Sequence, residues 1–163
     1  MEKNTHMRKI VCWILAVCWM VVIFSFSART ATLSAQDSAT VGMWLGKVFV
    51  PGFSGWDEQE QKEFADKIDH PVRKSAHASE YAVLGFLLAG GLVDGTKKRI
   101  YCIGVPWIVG TLYAASDELH QMFVPGRSCQ VTDIMIDSSG VFLGVLVGQL
   151  IWFYRIWARR KKN

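Results

Sequence analysis

The stretch Ile10–Phe26, IVCWILAVCWMVVIFSF, contains no charged residue, and neither alternation nor a helical stripe breaks its apolar run. A water-soluble domain distributes apolar residues with helix or strand periodicity, whereas an unbroken block of this length matches the ~20 residues a helix needs to cross a ~30 Å hydrocarbon core. Three further blocks of similar length follow: Ala76–Val93, Ile100–Ser116 and Ser138–Tyr154. Hydrophobic residues make up 51% of the 163-residue chain against 20% charged, which excludes a disordered chain, and their gathering into blocks with almost no charge points to lipid as the solvent. Arg8 and Lys9 precede the first block as they would in a signal peptide. The block is too long and bulky for one, and no small-residue cleavage site follows, so it reads as an uncut anchor.

The expected fold is all-α: a membrane bundle of four transmembrane helices, about residues 10–28, 75–93, 100–119 and 135–154, with a long extracellular segment between the first and second. Four crossings place Lys3, Arg8, Lys9, Lys97, Lys98, Arg99, Arg155, Arg159, Arg160, Lys161 and Lys162 on one side, eleven of the eighteen basic residues. The positive-inside rule then makes the protein a multi-pass cell-membrane protein with both termini cytoplasmic. The same distribution assigns the +4 net charge to lipid headgroups and excludes nucleic acid as a partner. Cys12, Cys18 and Cys102 fall within spans and read as buried small hydrophobes, and no disulfide framework or zinc spacing emerges.

In the long segment, Val41, Trp44, Leu45 and Val48 recur at helical spacing and predict a short interfacial or re-entrant helix. Asp57–Asp69 is acidic, carries Phe64 and Ile68 on one face, and predicts a separate solvated helix. Pro71 is then expected to open the second span, where a missing amide costs nothing. In the last span Gly140, Gly144 and Gly148 repeat every four residues, a row suited to close helix packing.

Ionisable residues within spans are costly and mark function or pinning. Arg73, His77, Glu80 and Tyr81 fall within about a third of the circumference of the second helix. Asp117, Glu118, His120 and Gln121 end the third, and Asp133 and Asp137 begin the fourth. Alternating span directions bring all three groups to the same outer level. Five carboxylates, Glu80, Asp117, Glu118, Asp133 and Asp137, outnumber Arg73, Lys74 and Arg127, so a proton, a cation or a ligand is required. Catalytic residues are not identified by any motif. His77, Glu80 and Asp117 are the candidates, with His77 or Glu80 as a general base. Neither a metal site nor a cofactor is indicated.

The stretches Val72–Tyr81 (VRKSAHASEY) and Ala115–Arg127 (ASDELHQMFVPGR), then Asp133 and Asp137 before Gly140 and Gly144, resemble the VanZ-like family of bacterial membrane proteins in order and spacing, as does Phe24–Ser27 (FSFS). The resemblance implies a link to low-level resistance to teicoplanin and related lipoglycopeptides. It also carries Arg73, Lys74, His77, Glu80, Tyr81, Asp117, Glu118, Gln121, Phe123, Arg127, Asp133 and Asp137 as motif residues. Cys129 and the acidic outer segment depart from the family's pattern.

The expected function is a VanZ-like membrane protein of the cell envelope whose outer pocket engages a membrane lipid, a lipid-linked wall precursor or the glycopeptide. In it Arg73 and Arg127 hold a phosphate or carboxylate, and Glu80 with Asp117 supplies polarity or proton transfer. Two alternatives stay open: a membrane-embedded hydrolase or transferase acting on a phosphate or ester bond of an envelope lipid, and a non-catalytic scaffold pinned by the cluster.

Overall fold

The apolar blocks become helices, and the longest helix joins two elements that the sequence separates. A computed structural model describes residues 2–93 and 98–160. Its elements are α1 (Glu2–Ser27), α2 (Ala31–Phe49), a 3-10 turn (Phe53–Gly55), α3 (Glu58–Leu92), α4 (Arg99–Gln121) and α5 (Val131–Arg160). The expected basic positions Lys97, Lys161 and Lys162 lie outside the described residues.

Asp57 starts α3 with a capping box: its carboxylate accepts the Glu60 amide at 2.8 Å while the Glu60 side chain accepts the Asp57 amide at 3.2 Å. The helix then runs 35 residues, about 52 Å at 1.5 Å per residue, straight through Pro71. Pro71 therefore does not open a new helix, contrary to the expectation from sequence. A proline inside a helix removes one backbone bond and costs ~3 kcal/mol. Here the flanking turns are held from outside. Ser38 of α2 donates to Asp69, Asp69 pairs with Arg73 across the proline at 2.9 Å, and Gly42 of α2 lies against Ala65.

α3 is the hub, in contact with α1, α2, α4 and α5. The core joins Ala16 and Ile23 of α1 to Tyr81, Leu84, Leu88 and Ala89 of α3, Ala114 of α4, and Val141 and Val145 of α5. The glycine row of α5 seats it against α3. A Cβ on Gly140 would strike the Ala78 carbonyl and one on Gly144 the Ala82 carbonyl. The row is thus filled within the chain by α3. At the end far from the polar cluster, Arg8 donates to the Val93 carbonyl and lies 5.2 Å from the Trp152 ring, capping α3 with a cation.

The distribution of polarity is that of a membrane protein. Asp117, Glu118, Gln121, Asp137 and Gln149 are buried, whereas Ile14, Val17, Val21, Ile108, Leu112, Leu143 and Leu150 are exposed. Thr5–Ser27 and Val131–Arg155 are long and apolar enough to cross a membrane. Among the described residues α3 and α4 do not reach that level, because His77 and Glu80 in one and Asp117 in the other dilute their apolar runs. Cys12 and Cys102 are buried as expected, but Cys18 is exposed on the apolar face of α1.

Candidate functional site

Polar residues of α3, α4, α5 and the α4–α5 loop converge on a cavity of about 190 Å³. From α3, His70, Arg73, Lys74 and His77 line it at i, i+3, i+4 and i+7, one helical stripe that continuity through Pro71 makes possible. From α4 come Glu118 and Gln121, and from α5 Asp133, Ile136 and Asp137. The loop adds Gly126, Arg127, Ser128 and Gln130.

The loop is shaped for this position. Gly126 has φ +78°, a left-handed conformation that glycine tolerates, and its neighbour Pro125 accepts the Ala31 amide at 3.3 Å. An added Cβ would lie 2.9 Å from that of Ala31. Gly126→Ala is expected to lower stability by about 1–3 kcal/mol through backbone strain, visible as a fall in the melting temperature of the purified protein.

The charged groups are committed unequally. Lys74 Nζ meets Asp133 Oδ1 at 2.7 Å, joining α3 to α5, and Arg73 meets Asp69. Glu118 Oε2 accepts the Gln130 amide at 3.1 Å. Arg127 donates to the neutral Gln121 Oε1 at 3.2 Å, while its Nε is buried with no acceptor. Burial pushes this guanidinium below its ordinary value, Arg73 adds to the effect, and Asp117 and Glu118 oppose it. An arginine starts so far above neutrality that Arg127 stays charged. Asp137 is 1% exposed, and its Oδ2 has no donor among the described residues.

Glu80, Tyr81 and Asp117 do not line the cavity. Asp117 is buried behind it, where Oδ2 accepts Ser27 Oγ at 2.6 Å and Gln121 Nε2 at 3.4 Å. Tyr81, wholly buried, and Glu80 are both within electrostatic reach of Asp117. Trp19 of α1 donates to the Glu80 carbonyl at 2.9 Å, and Tyr113 donates to the Met20 carbonyl at 2.7 Å, so this inner layer ties α1 to the bundle. Tyr113→Phe, which removes one such bond, is expected to cost about 1 kcal/mol in a denaturation measurement. His120 stacks on Phe24 at 4.4 Å, outside the cavity lining. Phe123, at the start of the loop, is 84% exposed.

Of the residues singled out from sequence, Arg73, Lys74, His77, Glu118, Gln121, Arg127, Asp133 and Asp137 therefore meet around one cavity. His70, Gln130 and the Asp69 partner of Arg73 were not anticipated. His70 was legible in its spacing to Arg73, Lys74 and His77, once the helix is allowed to pass the proline. Among the described residues no group of three or more His, Cys, Asp or Glu side chains is arranged to hold a metal ion.

No curated protein and no solved structure matches the chain. A family model described as VanZ/LLP1 matches residues 12–153, from within α1 to within α5, and so takes in every side chain of the cavity and the layer behind it. On that match, the chain belongs to the VanZ/LLP1 family.

Proposed function

We propose that this VanZ-like protein crosses the membrane four times with both termini cytoplasmic and opens its cavity to the outer leaflet. There it holds the phosphate-bearing headgroup of an envelope lipid or lipid-linked wall precursor, which lowers the effect of lipoglycopeptides such as teicoplanin. The observation that carries the reading is Arg127: a charged guanidinium lining a cavity, with a neutral amide as its hydrogen-bond partner and a buried, unmatched Nε. Guanidinium is the side chain best suited to phosphate. The flanks of the loop support a lipid source, since Met122, Phe123, Val131 and Met135 are exposed apolar side chains beside the polar lining. Acyl chains would contact such a rim while the headgroup enters.

Antibiotic susceptibility tests the reading. In a susceptible Gram-positive host, the wild type is expected to raise the inhibitory concentration of teicoplanin several-fold. Arg127→Gln is expected to return it to the vector level at equal membrane abundance. Absence of protection by the wild type, or full protection by Arg127→Gln, would overturn the proposal.

A further inference from the structure

Subtracting the ion pairs already made within the protein leaves an unusual remainder. Arg73 is matched by Asp69 and Lys74 by Asp133. What remains among the described lining residues, beside the imidazoles of His70 and His77, is the guanidinium of Arg127 and the carboxyl groups of Glu118 and Asp137. Glu118 is 2% exposed and Asp137 1%, and neither makes a salt bridge among the described residues. A purely anionic headgroup would satisfy Arg127 but bring only acceptors to a lining where the buried Asp137 Oδ2 lacks a donor. A simple cation would answer the carboxyl groups and leave the buried Arg127 Nε without an acceptor.

We infer that the cavity selects a zwitterionic phosphoamine headgroup, its phosphate on Arg127 and its primary ammonium directed at Asp137 and Glu118. The inference rests on the lipid-headgroup reading above and adds the identity of the group. A primary ammonium brings three N–H donors, and Asp137 Oδ2 is a buried acceptor that lacks one. A quaternary ammonium brings none and is ordinarily held by a cage of aromatic faces. Among the described residues no Phe, Tyr or Trp lines this cavity. Its volume, about 190 Å³, exceeds the ~150 Å³ that admits a benzene-sized molecule, so a phosphate joined to a short aminoalkyl group is of suitable size.

Thermal melting of the full chain in detergent micelles, doped with phosphatidylethanolamine, phosphatidylcholine or phosphatidylglycerol of matched acyl chains, tests this selection. Phosphatidylethanolamine is expected to raise the melting temperature at the lowest lipid concentration. Asp137→Asn is expected to weaken its advantage over phosphatidylcholine roughly tenfold or more, the loss of one charge-assisted contact. Glu118→Gln serves the same purpose if the Asp137 variant does not accumulate. Soluble O-phosphoethanolamine is the companion probe: a shift with it alone keeps the ligand chemistry and moves its source from lipid to solution. Equal responses to phosphatidylethanolamine and phosphatidylcholine would overturn the inference. A preference for phosphatidylglycerol would overturn it while leaving the phosphate-binding function intact. No response to any lipid or to the soluble headgroup would overturn both.

Discussion

Gly144→Ala is expected to remove most of the protein from the membrane fraction. The added Cβ would overlap the Ala82 carbonyl oxygen, a backbone atom fixed within α3 that no rotamer change can move. The helices would have to separate, and with them Val141, Val145, Leu84 and Leu88, which pack in the same core. Overpacking of a rigid contact costs ~1–3 kcal/mol and sometimes more, and the upper end applies where backbone meets backbone. Against a total stability of ~5–15 kcal/mol this is a large fraction. The neighbouring glycine distinguishes mechanism from mere intolerance. At Gly148 the nearest atom is the Ala89 Cβ at 2.9 Å, so Ala89→Gly is expected to rescue Gly148→Ala, whereas Ala82→Gly does nothing for Gly144→Ala. Gly104, with nothing within 4 Å of a built Cβ, is the control: its alanine variant is expected to gain about 0.5–1 kcal/mol of helix stability. Quantitative blots of membrane fractions and melting of the purified variants read all five.

Asp117→Leu is expected to destabilise the bundle by about 3 kcal/mol although it removes no side chain that lines the cavity. The substitution strands Ser27 Oγ and Gln121 Nε2, both of which donate to this carboxylate in a buried setting, and each unsatisfied group costs ~1–3 kcal/mol. Combining it with Ser27→Ala should recover part of the loss, because the stranded hydroxyl is then absent. A double-mutant cycle in denaturant measures that recovery, and strict additivity would refute the pairing. Gln121 also accepts from Arg127, so loss of Asp117 reaches the cavity through one shared amide. Protection against teicoplanin and abundance should therefore fall together in Asp117→Leu, in contrast to Arg127→Gln, where protection is lost while abundance is expected to hold.

Much of this arrangement was legible before any coordinates. The four-residue glycine period specified a close α5 contact, and the carboxylates near the ends of apolar runs specified a common polar level. What escaped depended on tertiary context. Local preference placed a helix boundary at Pro71, yet the Ser38 and Arg73 contacts of Asp69 stabilise the turns on either side of it. With the boundary misplaced, His70 belonged to a different helix and could not be counted in the stripe with Arg73, Lys74 and His77. The role of Gln130 was invisible for another reason: it is the backbone amide that reaches Glu118, and any residue except proline carries one. Nor does any spacing reveal that Asp117 faces Ser27, 90 positions away, rather than the cavity.

The seam between α3 and α5 has a consequence for how the chain is made. α5 leaves the ribosome well after α3, yet it supplies the surface against which α3 buries Gly85 and the partner that neutralises Lys74. Until Val131 onward has been translated, α3 exposes Lys74, His77 and Glu80 with nothing from α5 to cover them. On the proposed four-span topology, partition of α3 into lipid is therefore conditional on a segment not yet synthesised. A chain truncated in the α4–α5 loop would present an ionisable helix face to the insertion machinery, a form suited to recognition and removal by membrane proteolysis.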